Sequence, residues 1–234
     1  MNVTNSSVFI FIYCKNRKKK MFPTLRRLCQ NSTKYVTGSV SHDTKVGRLA
    51  KLIACESREP NRVFDFVALG EELIGKTVKA ICMAQELSFP EIAGPVVSKN
   101  LRIVPYDFPA VGKLRPVPAV RFIVDSIEFV KSESRFSDIR VSTRSEPEDL
   151  AKKLHDLYMR QQSDSFHLRC MGYNASTKVI RSMTIFNQNV SEHKLAATIS
   201  SELVSDSSKP ESSLRVVLFR VFVIPTPELL PRSR

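Results

Sequence analysis

The apolar positions along this chain change period again and again. In SFHLRCM (165–171), Phe166, Leu168 and Cys170 alternate with His167, Arg169 and Met171, the period of two expected of a strand with one covered face. Gly172 interrupts it, and Val179 and Met183, one helical turn apart, open a helical stretch. Upstream, IRVST (139–143) reads as a strand. Ser145 and Glu148 then form an S-x-x-E capping box ahead of the stripe Leu150, Leu154, Leu157 and Tyr158. Downstream, LAATISSELV and LRVVLFRVFVI read as strands joined by the polar loop SDSSKPESS. The first half has the same layout: strand near 35–40, helix from about 43 to 54, strand 63–69, helix 73–87, and strands 101–106 and 119–130. The predicted order is β-α-β-α-β-β, twice, with KSESRFS (131–137) as linker.

The two halves also repeat in sequence. At a shift of 102 positions Gly70 meets Gly172, Lys76 meets Lys178, Val78 meets Ile180, Lys79 meets Arg181 and Ile81 meets Met183. RLAKLI (48–53) meets DLAKKL (149–154) at a shift of 101, and VRFIV (120–124) resembles VVLFRVFV (216–223). Three matched segments in one order indicate a duplicated unit.

Composition is that of an ordinary globular protein, and the formal charge of +13 is unevenly spread. Residues 1–41 hold eight Lys/Arg and no Asp or Glu, whereas 42–137 hold fourteen basic and twelve acidic residues and 138–234 hold fourteen and eleven. Basic surface on the folded part must therefore come from local clustering. VFIFIYC (8–14) is too short to span a bilayer, and the basic run KNRKKK follows it instead of preceding it as in a secretory signal. From Met21 the arm is rich in Arg, Ser and Thr without acid, the composition of a mitochondrial transit segment, with translation expected to begin at Met21. A basic tail touching RNA, or a nuclear signal in KNRKKK with a nuclear or cytoplasmic location, is the alternative. Cys55, Cys82 and Cys170 fall in apolar periodic stretches and read as buried thiols. The spacing of cysteines and histidines gives no metal site and no cofactor, and no nucleophile–base or paired-carboxylate arrangement marks an enzyme.

One motif points elsewhere. GEELIGKT (70–77) spells the phosphate-binding pattern G-x-x-x-x-G-K-[ST] of a P-loop NTPase, after a strand and before a helix. RFIVD, ending at Asp125, could imitate the acidic metal-binding strand. Against this, each half is too short for a doubly wound nucleotide domain, and the second half lacks G-K-[ST]. Glu71 and Glu72 would sit where backbone amides should cradle phosphate. The repeat explains Gly70 and Lys76 without a nucleotide.

VALGEELIGKTVKAICMAQEL, LRIVPYDFPAV and AVRFIVDSIEF resemble the Alba-like family, especially its stage V sporulation protein S group. The resemblance covers 42–130 well and 138–225 more weakly, through RCMGYNASTKVIRSM. It implies an α+β fold of two tandem β-α-β-α-β-β Alba-like sandwich units. Residues 1–41 are then a basic arm, 131–137 a linker and 226–234 a tail. It also implies RNA or DNA binding and pairing as a homodimer or an internal pseudo-dimer. The competing class is a structural subunit of a ribonucleoprotein particle, whose surfaces mainly contact protein. The implied nucleic-acid contacts are Lys45 and Arg144 before the first helices and Lys113 and Arg115 in the hairpin VGKLRPVP, while the pairs Lys76/Lys79 and Lys178/Arg181, each three apart on one helical face, could meet phosphates or form an ordinary solvated face. Members are basic just after the glycine, where this chain has Glu71-Glu72 and Tyr173-Asn174. Tyr106, Phe108 and Tyr173 could stack on unpaired bases or pack as core and rim.

Overall fold

The computed structural model describes residues 33–59, 61–89, 97–108, 118–130, 137–160, 165–206 and 209–226. The elements are β1 (Lys34–Val40), α1 (Val46–Glu56), β2 (Arg62–Leu69), α2 (Glu71–Ser88), β3 (Val97–Asp107), β4 (Ala119–Val130), β5 (Ser137–Val141), α3 (Pro147–Met159), β6 (Ser165–Met171), α4 (Tyr173–Asn189), β7 (His193–Asp206) and β8 (Lys209–Pro225). The class is α+β. All eight strands form one sheet in the order β1-β2-β4-β3-β7-β8-β6-β5. Exchanging the first four strands for the last four leaves this order unchanged when it is read backwards.

The sheet's two faces follow from strand alternation. Val36, Phe64, Val124, Ile103, Ala197, Val221 and Phe166 lie side by side from β1 to β6. This row packs beneath the four helices in a continuous core with Ile53, Ile74, Ile81, Leu154, Ile180 and Met183. Helices α1 and α2, α2 and α4, and α3 and α4 touch, so the helical layer spans both halves. A second, smaller cluster lies on the other face: Val63, Val104, Ile123 and Ala196, with Tyr106, Phe222 and Ile224 packed against it.

The two halves join in the middle of the sheet by only two residue pairs, Arg102 with Thr198 and Ile103 with Ala197. Beside this short seam, buried amide side chains satisfy the backbone. Leu101 N–H donates to Gln85 Oε1 at 2.7 Å. Leu195 N–H donates to Asn187 Oδ1 at 2.6 Å, and Asn187 Nδ2 donates to the Pro105 carbonyl of the other half at 2.9 Å.

Each strand–glycine–helix step has one cause. Gly70 (φ 91°, ψ 158°) and Gly172 (φ 80°) stand in a backbone region that L side chains rarely adopt, and α2 and α4 begin on the next residue. The chain can thus turn from strand to helix without a loop.

Four expectations change. Ser145 does not cap α3: its Oγ accepts from Ser142 N–H at 3.1 Å, closing the preceding turn, and α3 starts at Pro147, whose missing N–H and fixed φ suit that position. β5 begins at Ser137, the last residue of the expected linker. The stretch SDSSKPESS is mostly strand, because β7 runs to Asp206 and β8 starts at Lys209. Ladder bonds are made by backbone, so a polar sequence can extend a hairpin. Cys55 is exposed, since the buried stripe of α1 is Leu49, Ala50, Ile53 and Ala54, whereas Cys82 and Cys170 are buried. Burial pushes the Cys170 thiol up to about 12.

Candidate nucleic-acid interface

The strand directions sort the loops. β1 and β2 run parallel, β4 opposes them, and β3 opposes β4. The C-terminal ends of β1, β2 and β3 therefore share one end of the sheet. The corresponding ends of β5, β6 and β7 share the opposite end, because β3 and β7 are antiparallel.

The first end carries Lys45, exposed at the N-cap of α1. That helix has no side-chain cap and no acid in its first turn, and Arg48 is exposed one turn in. Free amides, helix dipole and two cations thus favour an anion together. Leu69 and Phe108 are exposed at the same end. β3 ends and β4 begins there, with Gly70 N–H donating to the Pro118 carbonyl at 2.7 Å. Lys113 and Arg115 belong to the segment between those strands and lie outside the described residues. Tyr106 is half-buried over the outer cluster, and burial raises its phenol pKa.

The opposite end differs. The turns before α1 and α3 are alike: Ser41 N–H donates to Thr44 Oγ1 at 2.9 Å, as Ser142 N–H does to Ser145 Oγ at 3.1 Å. These turns align Lys45 with Glu146, not with Arg144, whose counterpart is Asp43. Arg144 is exposed, but α3 opens with Glu146, Glu148 and Asp149 around it. The sequence shows this only when the two turns are superposed.

Lys76, Lys178 and Arg181 turn to carboxylates, while Lys79, exposed, lies over a ring. Lys76 Nζ sits 2.9 Å from Glu72 and donates to the His42 carbonyl at 3.1 Å. Lys76 and the neighbouring His42 hold the Glu72 carboxyl below its ordinary range. Lys178 and Arg181 reach across to Glu71 of α2 at 3.5 and 2.9 Å, and Arg181 also approaches Glu148 at 3.7 Å. Lys79 lies 5.5 Å from the centre of the Tyr173 ring. With side-chain exposures of 27% for Lys76, 19% for Lys178 and 28% for Arg181, these groups mainly tie the helical layer together.

The motif GEELIGKT is helical from Glu71 onward, with Ile74 N–H already bonded to the Gly70 carbonyl at 3.1 Å. From Ile74 on its amides are committed to helix, and the first turn before it carries Glu71 and Glu72, whose charge opposes a phosphate there. Gly75 faces α4, and a Cβ placed there would meet Thr177 Cγ2 at 3.5 Å and the Tyr173 carbonyl at 3.8 Å, ordinary contacts. Gly75→Ala is therefore expected to fold normally and gain about 0.5–1 kcal/mol in a denaturant titration, from better helix propensity. Lys76→Ala should leave calorimetric ATP titrations unchanged.

Among the described residues no group of three or more His, Cys, Asp or Glu is placed to hold a metal, and no helix is long and apolar enough to cross a membrane. No protein-family model matches the chain, and no curated protein sequence matches it.

Proposed function

We propose that this chain is a non-catalytic RNA-binding protein made of two tandem Alba-like units, the second serving as an internal partner of the first, and that it acts in mitochondrial RNA metabolism or a ribonucleoprotein. The repeated β-α-β-α-β-β order and the strand order that survives exchange of the halves support the two-unit reading. The observation that carries the RNA reading is the common end of β1, β2 and β3. There a side-chain-uncapped helix start with Lys45 and Arg48, with no acid in its first turn but with Asp43 just before it, shares the sheet end with the two ends of the segment bearing Lys113 and Arg115. Positioned on a rigid sheet, such cations contact phosphates without reading bases.

Filter binding at several salt concentrations tests this. Lys45, Lys113 and Arg115 changed together to Ala should weaken binding across RNA sequences and flatten its salt dependence by roughly one unit of slope per lost phosphate contact. Arg144, Lys178 and Arg181 changed together should do less to the slope. Unchanged affinity and slope in the first triple variant would remove the surface from consideration. The second reading, a subunit whose surfaces mainly contact protein, is favoured by the ion-paired helix cations, and salt-independent behaviour of the unmutated protein would establish it.

The arm supplies the location. β1 is bonded to β2 from Lys34 onward, so a transit segment must be removed upstream of Lys34 to spare an edge strand. The arm's composition puts the mature start after about residues 31–41, and β1 narrows it: N-terminal sequencing of the native protein should find a start between residues 32 and 34 in mitochondria. Recovery of Met1 or Met21 from the cytosol would count against it.

A further inference from the structure

The outer face of the sheet, away from the helices, holds a polar row that the loops do not involve. Asp125, Arg102, Thr198, Arg220, His167 and Asp138 lie side by side on β4, β3, β7, β8, β6 and β5. Three arginines of this face have their own carboxylate. Arg102 holds both oxygens of Asp125, its Nε at 2.9 Å. Arg121 holds Asp65 at 2.8 and 2.6 Å, and Arg169 lies 3.2 Å from Asp138.

Arg220 departs from the pattern. It is half-buried, its Nε is buried without a hydrogen-bond partner, and among the described residues it has no ion-pair partner. Its cross-strand neighbours are Thr198 and His167, neither of them acidic. A guanidinium held this way strongly favours an incoming anion, since desolvation has already been incurred in folding. Two residues along β8 on the same face, about 6.7 Å away, Phe222 lies opposite Ala196 and packs against the outer cluster of Val63, Val104, Ile123 and Ala196. A cation and a ring-bearing side chain thus lie within about one nucleotide's span of each other on β8.

We propose that this outer face binds single-stranded nucleic acid, with a backbone phosphate on Arg220 and a base against Phe222. A duplex keeps its bases stacked away from such a surface, whereas an unpaired base can lie on it. The proposal rests on the RNA-binding reading but concerns a different surface from the loop end. Both can serve one RNA, structured at the loops and unpaired across the sheet.

Fluorescence anisotropy of the full chain with a labelled oligouridylate and with an RNA duplex of equal length tests it. Arg220→Gln should weaken oligouridylate binding about tenfold, lower its salt slope by about one and leave duplex binding unchanged. Phe222→Leu should weaken it about fivefold at unchanged slope. If the unmutated protein binds RNA and Arg220→Gln binds oligouridylate equally well, the outer-face site is wrong while the loop reading survives. If the unmutated protein binds neither RNA, both readings fail. Should Arg220→Gln fold poorly, the His167 ring reports instead. Its pKa is lowered by burial, then by Arg220, and further by Arg169, while Asp138 and Glu202 act in the opposite sense. A phosphate on Arg220 should raise that pKa in an NMR titration of the oligouridylate-saturated protein. An unmoved His167 would overturn the proposal.

Discussion

Replacing both Gly70 and Gly172 with alanine is expected to destabilise the protein by about 4 kcal/mol, roughly 2 for each site. Both glycines combine a positive φ with an extended ψ, 91° and 158° at Gly70 and 80° and 171° at Gly172. Any Cβ there strains the backbone, even where space is open, as it is around Gly172. Relaxing the strain would shift the first turn of α2 or α4 off the core that Leu73, Ile74 and Ala175 enter. Urea titrations of the two single variants and the double variant would check the size and additivity. A double variant as stable as the unmutated protein would mean that the strand–helix step tolerates a loop.

Asn187→Leu should cost about 3 kcal/mol, measured the same way. The side chain is 4% exposed and serves three backbone groups: the Leu195 N–H and carbonyl, and the Pro105 carbonyl in the other half. Leucine fills similar volume but leaves a buried donor and two acceptors without these bonds. Gln85→Leu, its counterpart beside Leu101, should cost less, about 2 kcal/mol, since its strongest bond is the single one to Leu101 N–H. A loss below about 1 kcal/mol at Asn187 would show that water replaces the amide.

Alternation and glycine punctuation made much of the architecture readable in advance. The expected strands 119–130 and 165–171 coincide with β4 and β6, because each is an apolar alternation bounded by proline or glycine. Which edges meet was not readable: the β3–β7 seam joins residues almost a hundred positions apart and rests on two residue pairs. The inward turn of Lys178 and Arg181 escaped for the same reason, since Glu71 reaches them only once α2 crosses α4. Arg144 was matched to Lys45 by charge, whereas the shared Ser–Thr and Ser–Ser turns set the alignment two residues away, at Glu146. Arg220 sits inside the apolar run LRVVLFRVFVI, and its outward phase, opposite to Val217, Phe219 and Val221, was the available signal.

The seam has a final consequence for which surfaces recognise one another. Counterpart residues face each other at two places: Ile103 opposite Ala197 in the sheet, and Gly75 against Thr177 between the helices. Each place couples a larger residue with a smaller one, and the larger comes from the first half in the sheet but from the second half between the helices. Two copies of the first half would set glycine on glycine, leaving a gap, and isoleucine on isoleucine, overfilling the strand contact. Two copies of the second half would make the reverse misfit. Complementary size thus gives each half a preference for the other over its own kind, steering the duplicated chain towards one mixed pairing and away from open-ended self-association.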